Sequence, residues 1–219
     1  MSSGPDRRND SLADWLRIRA AVSWPHWSGE ARTAAEPATY DGFRDFFAAT
    51  RGGRDAAGTT RVLTALDRVL ADAQQDAQLT FPLMASWQRT VLHRDAVAFR
   101  TMPAFAKGGR ERYGLAPDTP ARFEQCLAES TNPNLPLPSR AARTYLDVLF
   151  FHPFEDGNAR AAMLVLAFIL SREGVSLDDV RPLQATRWAD DADGAADVAA
   201  LLGLMITASR RRLSHRSRP

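Results

Sequence analysis

The sequence has one cysteine, one lysine and no uninterrupted hydrophobic run of membrane-spanning length. Cys126 alone excludes an internal disulfide and a cysteine-based metal site, and its simplest role is that of a small buried apolar residue. The polar residues 1–9 lack the apolar core of a signal peptide. No run of about 18 apolar residues is present to span a membrane. We therefore expect a cytoplasmic protein that is not inserted into a membrane.

An excess of charge of one sign is also lacking. The formal net charge is only +2, and apart from Lys107 all of the positive side chains are arginines. A small net charge spread along the chain creates little of the focused positive potential that binds a phosphate backbone. Nucleic acid is therefore not expected as the main partner.

Strand signals are lacking as well, because no useful length of chain alternates apolar and polar residues. Apolar residues at spacings of three and four instead predict helices along most of the chain. Threonine followed closely by proline indicates helix starts at Thr80 and Thr119. A very apolar helix is predicted to begin near Ala159 and to end before Gly174. The other predicted helices cover residues 40–50, 60–73, 139–151, a short helix capped by Ser176, and residues 190–213.

The stretch HPFEDGNAR gathers polar groups between two apolar helices. His152 ends the first helix, because the proline that follows it prevents simple continuation, and it can accept a proton near neutral pH. The unpaired N–H groups in the first turn of the second helix attract phosphate oxygens, and Gly157 allows close approach of an anion. Arg160 can bind phosphate with two hydrogen bonds, and Asp156 suits Mg²⁺. Together these groups suit attack of a hydroxyl on phosphorus.

This stretch resembles the Fic/Doc signature, which runs His, any residue, Phe, any residue, Asp or Glu, Gly, Asn, Gly or Lys, Arg, two further residues and Arg. The residues that match it are His152, the common Pro153, Phe154, Asp156, Gly157, Asn158 and Arg160. The preceding AARTYLDVLF resembles the helix that leads into this loop in the family. The chain departs from the signature at Ala159 and at Met163, where the family's second arginine normally binds the terminal phosphate of ATP.

The resemblance implies an all-α, Fic-like helical bundle with a short flap, either a hairpin or a loop, over the active site. Pro103, Gly114 and the pair Gly108–Gly109 interrupt the helical pattern, so Gly108 and Gly109 are the flap candidates, with an ordinary flexible loop as the alternative. The expected organisation is a partly disordered N-terminal extension at 1–40, the Fic-like domain at 41–213 with its core at 60–180, and a basic tail at 214–219.

The resemblance also implies a role for each motif residue. His152 would be the general base, Asp156 would bind Mg²⁺, and Phe154 would anchor the loop. The residues implied to bind the nucleotide phosphates are Gly157, Asn158, Ala159 and Arg160. The usual reaction of the family moves AMP from ATP onto a Ser, Thr or Tyr hydroxyl of a target protein, with pyrophosphate leaving.

Because Met163 and Ala159 depart from the signature, the nucleotide donor is not fixed and three alternative functions stay open. The first is a phosphotransferase, and the second is a relative that modifies a small molecule bearing a hydroxyl. The third is a degenerate Fic-like protein that binds a nucleotide or a partner without catalysis. No copy of the family's inhibitory Ser/Thr-x-x-x-Glu-Gly/Asn helix is found, so inhibition in cis is not expected and a separate inhibitor protein is left open. The acceptor and the oligomeric state are not determined by the sequence.

Overall fold

The computed structural model describes residues 10–25, 41–51 and 55–216 of the chain. Residues 1–9 and 26–40 of the predicted N-terminal extension, and 217–219 of the predicted tail, lie outside this part. The described residues form eight α-helices and one antiparallel two-stranded hairpin, which confirms the predicted all-α class. The helices are α1 (Ser11–Ala21), α2 (Gly42–Arg51), α3 (Ala56–Gln74), α4 (Phe81–Leu92), α5 (Thr119–Ala128), α6 (Leu137–Phe151), α7 (Asn158–Arg172) and α8 (Ala192–Arg216). The strands are β1 (Ala104–Ala106) and β2 (Glu111–Tyr113).

The centre of the fold is the pair α6 and α7, which pack against each other and are joined by the motif loop. Helix α7 is apolar on all sides, and every residue from Ala161 to Leu170 is buried. Helix α3 covers α7, while α8 and α5 cover α6. Because α7 is packed in this way, the position of its N-terminus at Asn158, where the motif loop ends, is fixed.

Helix α1 belongs to the core, although it lies within the predicted N-terminal extension. Trp15 is fully buried and packs on Phe150, with ring centroids 4.9 Å apart. The carboxylate of Asp147, buried in α6, accepts hydrogen bonds from Trp15 Nε1 at 2.9 Å and from Arg19 Nε at 2.7 Å. This cluster attaches α1 to α6, so the packed domain begins before residue 41.

Several local predictions are confirmed. Helix α4 follows Thr80, whose side-chain oxygen accepts a hydrogen bond from Leu83 N at 3.3 Å. Helix α5 begins at Thr119, with Asp118 rather than the threonine in the cap position. Cys126 is buried, and burial raises the pKa of its thiol to about 12, as expected for an unreactive core residue.

The predicted short helix after Ser176 is wrong. Leu177 and Val180 are fully buried as that helix would require, but the backbone there is not helical, and a 3₁₀-helix follows at Arg181–Gln184. The carbonyl of Leu177 accepts a hydrogen bond from Gly42 N at 2.9 Å. A long-range hydrogen bond to the start of α2 therefore takes the place of a helical hydrogen bond at Leu177.

Helix α8 also differs from expectation, because the segment Ala192–Arg211 is long and apolar enough to cross a membrane by length and composition. Asp193 and Asp197 interrupt the apolar run, yet the mean hydropathy of the window still reaches 1.3. One face of the helix, which includes Val198 and Leu202, is buried against the protein. Burial of one face is also what the core helix of a globular domain shows.

Candidate active site

His152 ends α6 in the left-handed backbone conformation, with φ 46° and ψ 58°. For a residue with a side chain this conformation costs about 1–2 kcal/mol. His152 N donates to Val148 O at 3.2 Å, and ring nitrogen Nδ1 lies in hydrogen-bond contact with Leu149 O. A carbonyl oxygen can only accept, so Nδ1 carries the proton and Nε2 carries the lone pair. Nε2 makes no hydrogen bond with any residue in the described part of the chain.

The ring of His152 is neutral in the folded protein. Burial lowers the pKa of His152 to about 4, although the Leu149 carbonyl opposes this effect. Arg100 and Lys107 lower the pKa further, and Glu111 raises it. A neutral imidazole with an unprotonated Nε2 is the form that accepts a proton from a hydroxyl. His152 is thus available as a base throughout the neutral pH range.

The loop after His152 is closed by a reciprocal pair of hydrogen bonds. Phe154 N donates to Asn158 Oδ1 at 2.9 Å, and Asn158 Nδ2 donates to Phe154 O at 2.8 Å. The Phe154 ring is buried and stacks on Phe81 of α4, with centroids 5.3 Å apart. The side chain of Asn158, implied by the motif to bind phosphate, is therefore engaged in holding the loop. Phe154 lies where an anchor of the loop would lie.

Gly157 stands at the N-cap of α7 with φ 79°. A Cβ at this position would lie 2.3 Å from Gln88 Nε2 and 3.0 Å from an Arg160 nitrogen. The same Gln88 amide donates to Asp156 O at 2.8 Å, which ties the loop to α4. Glycine is thus required both by the backbone and by the neighbouring side chain. No feature of the sequence pointed to Gln88, which lies 68 residues before Asp156.

Asp156 and Arg160 face each other across the first turn of α7. Their side chains form an ion pair at 3.3 Å, and Asp156 Oδ1 accepts from Gly157 N at 2.6 Å. The Asp156 side chain is 68% exposed, so its carboxylate is open to an incoming cation. The described residues contain no group of three or more metal-binding side chains. One carboxylate combined with phosphate oxygens and water is a common set of ligands for Mg²⁺, and Asp156 fits that pattern.

A cavity of about 470 Å³ opens beside the loop. Among the residues that line it are the predicted site residues His152, Asp156, Gly157, Asn158, Ala159 and Arg160. Apolar side chains also line the cavity, and they include Phe46 and Phe47 of α2, Val62 of α3 and Met163 of α7. Met163 is 2% exposed, and its sulfur accepts a weak hydrogen bond from Gln184 Nε2 at 3.4 Å. The lining of the cavity thus combines polar, anion-attracting groups with apolar side chains.

The sequence predicted a flap that is either a hairpin or a loop. The structure shows the hairpin β1–β2 at this position. Gly108 and Gly109, both with positive φ, form its tip, but they do not line the cavity. The flap residue at the cavity is Phe105 in β1, which is 62% exposed. The sequence marked the turn because glycine pairs are a strong local signal, whereas a three-residue strand gives none.

Arg100 ties the flap to the motif loop. Its guanidinium donates to Met102 O at 2.6 Å and to Gly114 O at 2.5 Å, one on each side of the hairpin. It also donates to Phe151 O at 3.3 Å, and Arg100 N donates to Pro153 O at 2.9 Å. Because the buried Arg100 bonds to carbonyls of both elements, it fixes the position of the flap relative to the loop.

Solved structures with the same architecture come from Fic-domain proteins. One is a Fic domain containing signaling protein from Bacteroides thetaiotaomicron VPI-5482, with 19% identity, a TM-score of 0.53, and coverage of 78% of this chain and 76% of that chain. Another is IbpAFic2 covalently tethered to Cdc42, with 13% identity, a TM-score of 0.58, and coverage of 89% and 70%. A third is a variant of IbpAFic2 in complex with adenylylated Cdc42, with 10% identity, a TM-score of 0.54, and coverage of 89% and 69%. No curated protein matches the sequence.

The sequence itself matches the model of the Fic/DOC family over residues 59–170, just over half of its 219 residues. This stretch runs from α3 through α7 and contains the whole motif loop and the hairpin. The family match and the shared architecture together show that the chain belongs to the Fic/DOC family.

Proposed function

We propose that this protein transfers a nucleotide-derived phosphoryl group, AMP from ATP in the simplest case, onto a hydroxyl group. The observation that carries the proposal is a neutral imidazole beside a helix N-terminus at one cavity. His152 keeps Nε2 unprotonated at the cavity, and the N-terminus of α7 with Arg160 lines the same cavity. A hydroxyl and a phosphate bound there would be neighbours.

In the proposed reaction the acceptor oxygen attacks the α-phosphorus of ATP. The new oxygen–phosphorus bond forms as the bond from the α-phosphorus to the bridging oxygen breaks, and pyrophosphate leaves. The hydroxyl proton passes to Nε2 of His152, while Nδ1–H stays bonded to Leu149 O. Mg²⁺ held by Asp156 would neutralise charge on the phosphates.

Donor binding would separate the ion pair between Asp156 and Arg160. The Asp156 carboxylate would turn to the cation, and the Arg160 guanidinium would turn to a phosphate. Because Asp156 is 68% exposed, although Arg160 is 19% exposed, water reaches the carboxylate and lowers the cost of breaking the pair. Asp156 then gains a divalent cation as its partner, and Arg160 gains a phosphate. The resting ion pair therefore keeps both side chains at the cavity before the donor arrives.

The proposed acceptor is a protein side chain. IbpAFic2 was solved with Cdc42 and, as a variant, with adenylylated Cdc42. In this chain Phe105 of β1 lies at the cavity and is 62% exposed. A short strand with an exposed aromatic suits an extended segment of a target protein, which would bring its hydroxyl toward His152.

Met163 favours a second candidate, transfer from a donor other than ATP. Met163 lines the cavity, at the motif position where the family's second arginine normally meets the terminal phosphate. A donor with fewer phosphates, or one carrying an uncharged group beside Met163, would leave no phosphate against this apolar side chain. The reaction at His152 would be the same, with a different leaving group.

Calorimetric titration with Mg²⁺ and ATP, and then with nucleoside diphosphate conjugates, tests the donor. Arg160→Ala should weaken binding at least tenfold, since a charge-assisted contact contributes about 1.5–3 kcal/mol. Arg122→Ala is the matched control, because Arg122 forms an ion pair with Asp118 at the same i,i+4 spacing on another helix. No binding of any nucleotide by the wild-type protein would contradict the proposal.

Transfer itself is tested by incubating the protein with ATP radiolabelled at the α-phosphate and a cell extract, with His152→Ala in parallel. Label incorporated by the wild type and not by the variant, with unchanged ATP binding, supports catalysis. Equal ATP binding with no label in either protein would instead support a nucleotide-binding protein without catalysis. Transfer from a diphosphate conjugate but not from ATP would select the second candidate.

A further inference from the structure

A buried polar network lies in the flap, outside the motif. The inward-facing residues of β2 are Glu111 and Tyr113, which are 4% and 1% exposed. The Glu111 carboxylate accepts hydrogen bonds from Lys107 Nζ, from Tyr113 Oη and from Ala189 N. Burial opposes ionisation of Glu111, but the bonds from Lys107 and Tyr113 outweigh it and lower its pKa. The centre of the network is therefore an ionised carboxylate whose two oxygens both accept hydrogen bonds.

The ring of Tyr113 stacks on the ring of His152. The two centroids are 4.5 Å apart, and the planes are inclined by 19°. One face of the imidazole is thus covered by the phenol, while Nδ1 is held by Leu149 O. Burial and the bond to Glu111 raise the pKa of Tyr113, so the phenol stays protonated and keeps donating. Neither contact involves Nε2 or the other face of the imidazole ring.

The network is anchored on the far side of the flap by the segment before α8. Lys107, besides bonding Glu111, donates to the Arg187 carbonyl and lies 4.4 Å from the Trp188 ring centroid. Ala189 N donates to Glu111 Oε1 at 3.0 Å. Both ends of the hairpin turn are thereby held to one segment. A displacement of the flap would move Tyr113 away from His152.

We propose that Tyr113 is a positioning residue for His152 and that Glu111 holds the Tyr113 ring in place. The flap would then serve the base directly, in addition to any contact with an acceptor. This proposal rests on the proposed role of His152 as the base. It assigns to residues outside the motif the task of keeping the imidazole in one orientation and shielded from water on one face.

The test measures His152 itself by NMR of the histidine rings, with the signals assigned by their loss in His152→Gln. Tyr113→Leu removes the stacked ring and exposes one face of the imidazole to water. Since burial is the main cause of the low pKa, the pKa of His152 should rise from about 4 toward the ordinary value of about 6.5. Arg100, Lys107 and Glu111, the charged groups that act on His152, are present in each protein compared.

Two further variants separate the roles of ring and hydroxyl. Tyr113→Phe keeps the ring but loses the bond to Glu111, so we expect a smaller rise in the pKa of His152 than in Tyr113→Leu. Tyr145→Leu removes another buried tyrosine, whose hydroxyl donates to Leu183 O, and controls for loss of a core aromatic. This control should leave the pKa of His152 unchanged. Amide spectra of each variant verify that it is folded.

An unchanged pKa of His152 in folded Tyr113→Leu would overturn the positioning role of Tyr113. A rise of the same size in Tyr145→Leu would also overturn it, because the effect would then be a general loosening of the core. Wild-type behaviour of Tyr113→Phe would overturn the anchoring role of Glu111. The titration needs no substrate, so a protein that fails to transfer AMP but shows the expected pKa order refutes only the proposed function.

Discussion

Replacement of His152 by glutamine tests whether the folded protein keeps this ring neutral. The pKa of His152 is lowered to about 4, mainly by burial, whereas a histidine in an unfolded chain titrates near about 6.5. Between these values the unfolded chain binds a proton that the folded protein does not bind, so acid favours unfolding. The contribution of His152 to stability is therefore fully present above about pH 6.5 and is lost as the pH falls toward 4.

The size of this effect follows from the two pKa values. Each pH unit between them is equivalent to about 1.4 kcal/mol, so lowering the pH from 7 to 5 should cost the wild-type protein about 2 kcal/mol through His152 alone. Glutamine is polar and does not titrate. Every other titrating group is shared, so the difference between the two proteins isolates the contribution of His152.

The assay is urea unfolding of the wild type and His152→Gln at pH 7, 6 and 5. The free energy of unfolding of the variant should fall by about 2 kcal/mol less than that of the wild type over this range. His93→Gln is the matched control, because His93 is an exposed histidine that ends α4 in the same left-handed conformation, with φ 53°. Parallel curves for wild type and His152→Gln would refute the claim that burial holds the ring neutral.

Gly157→Ala should destabilise the protein by at least about 1–2 kcal/mol, because the φ of Gly157 is positive. Under the proposed function it should also weaken ATP binding, because the added Cβ clashes with Gln88, whose amide bonds to the loop at Asp156. Thermal unfolding with and without ATP measures both effects, and an ATP-dependent shift of wild-type size would contradict the second. Asp147→Ala should cost about 3–5 kcal/mol in urea unfolding, since the buried Arg19 loses its main partner; a loss under about 1 kcal/mol would show that α1 is held otherwise. Phe105 is 62% exposed, so Phe105→Ser should change the free energy of unfolding by less than about 0.5 kcal/mol. Under the proposed function it should still reduce labelling of protein targets, and unchanged labelling would exclude Phe105 from acceptor binding.

The motif loop could be predicted from the sequence because its residues are consecutive and their signals are local. A proline after His152 ends one helix, and the glycine before Asn158 allows the turn into the next. The spacing alone therefore places His152, Asp156 and Arg160 near one helix end. The chemistry of the polar lining follows from these residue types.

Local signals did not predict the structure where a contact with a distant segment determined the backbone conformation. The apolar spacing around Leu177 and Val180 is typical of a short helix, yet the Leu177 carbonyl bonds to Gly42 at the start of α2. Similarly, the glycines at the flap tip were visible, whereas Phe105, the flap residue at the cavity, lies in a strand too short to show a period. In both cases a long-range contact overrides or hides the local pattern.

The sequence by itself determined the all-α class, the starts of α4 and α7 and the residues of the loop, because each depends on spacing and on neighbours in the chain. Only the tertiary structure decided what surrounds that loop. Gln88 and Arg100 bond to its backbone from distant elements, and Tyr113 covers the ring of His152. The pKa of His152 depends on burial and on charges brought together by folding. Such through-space effects leave no periodic trace along a single chain.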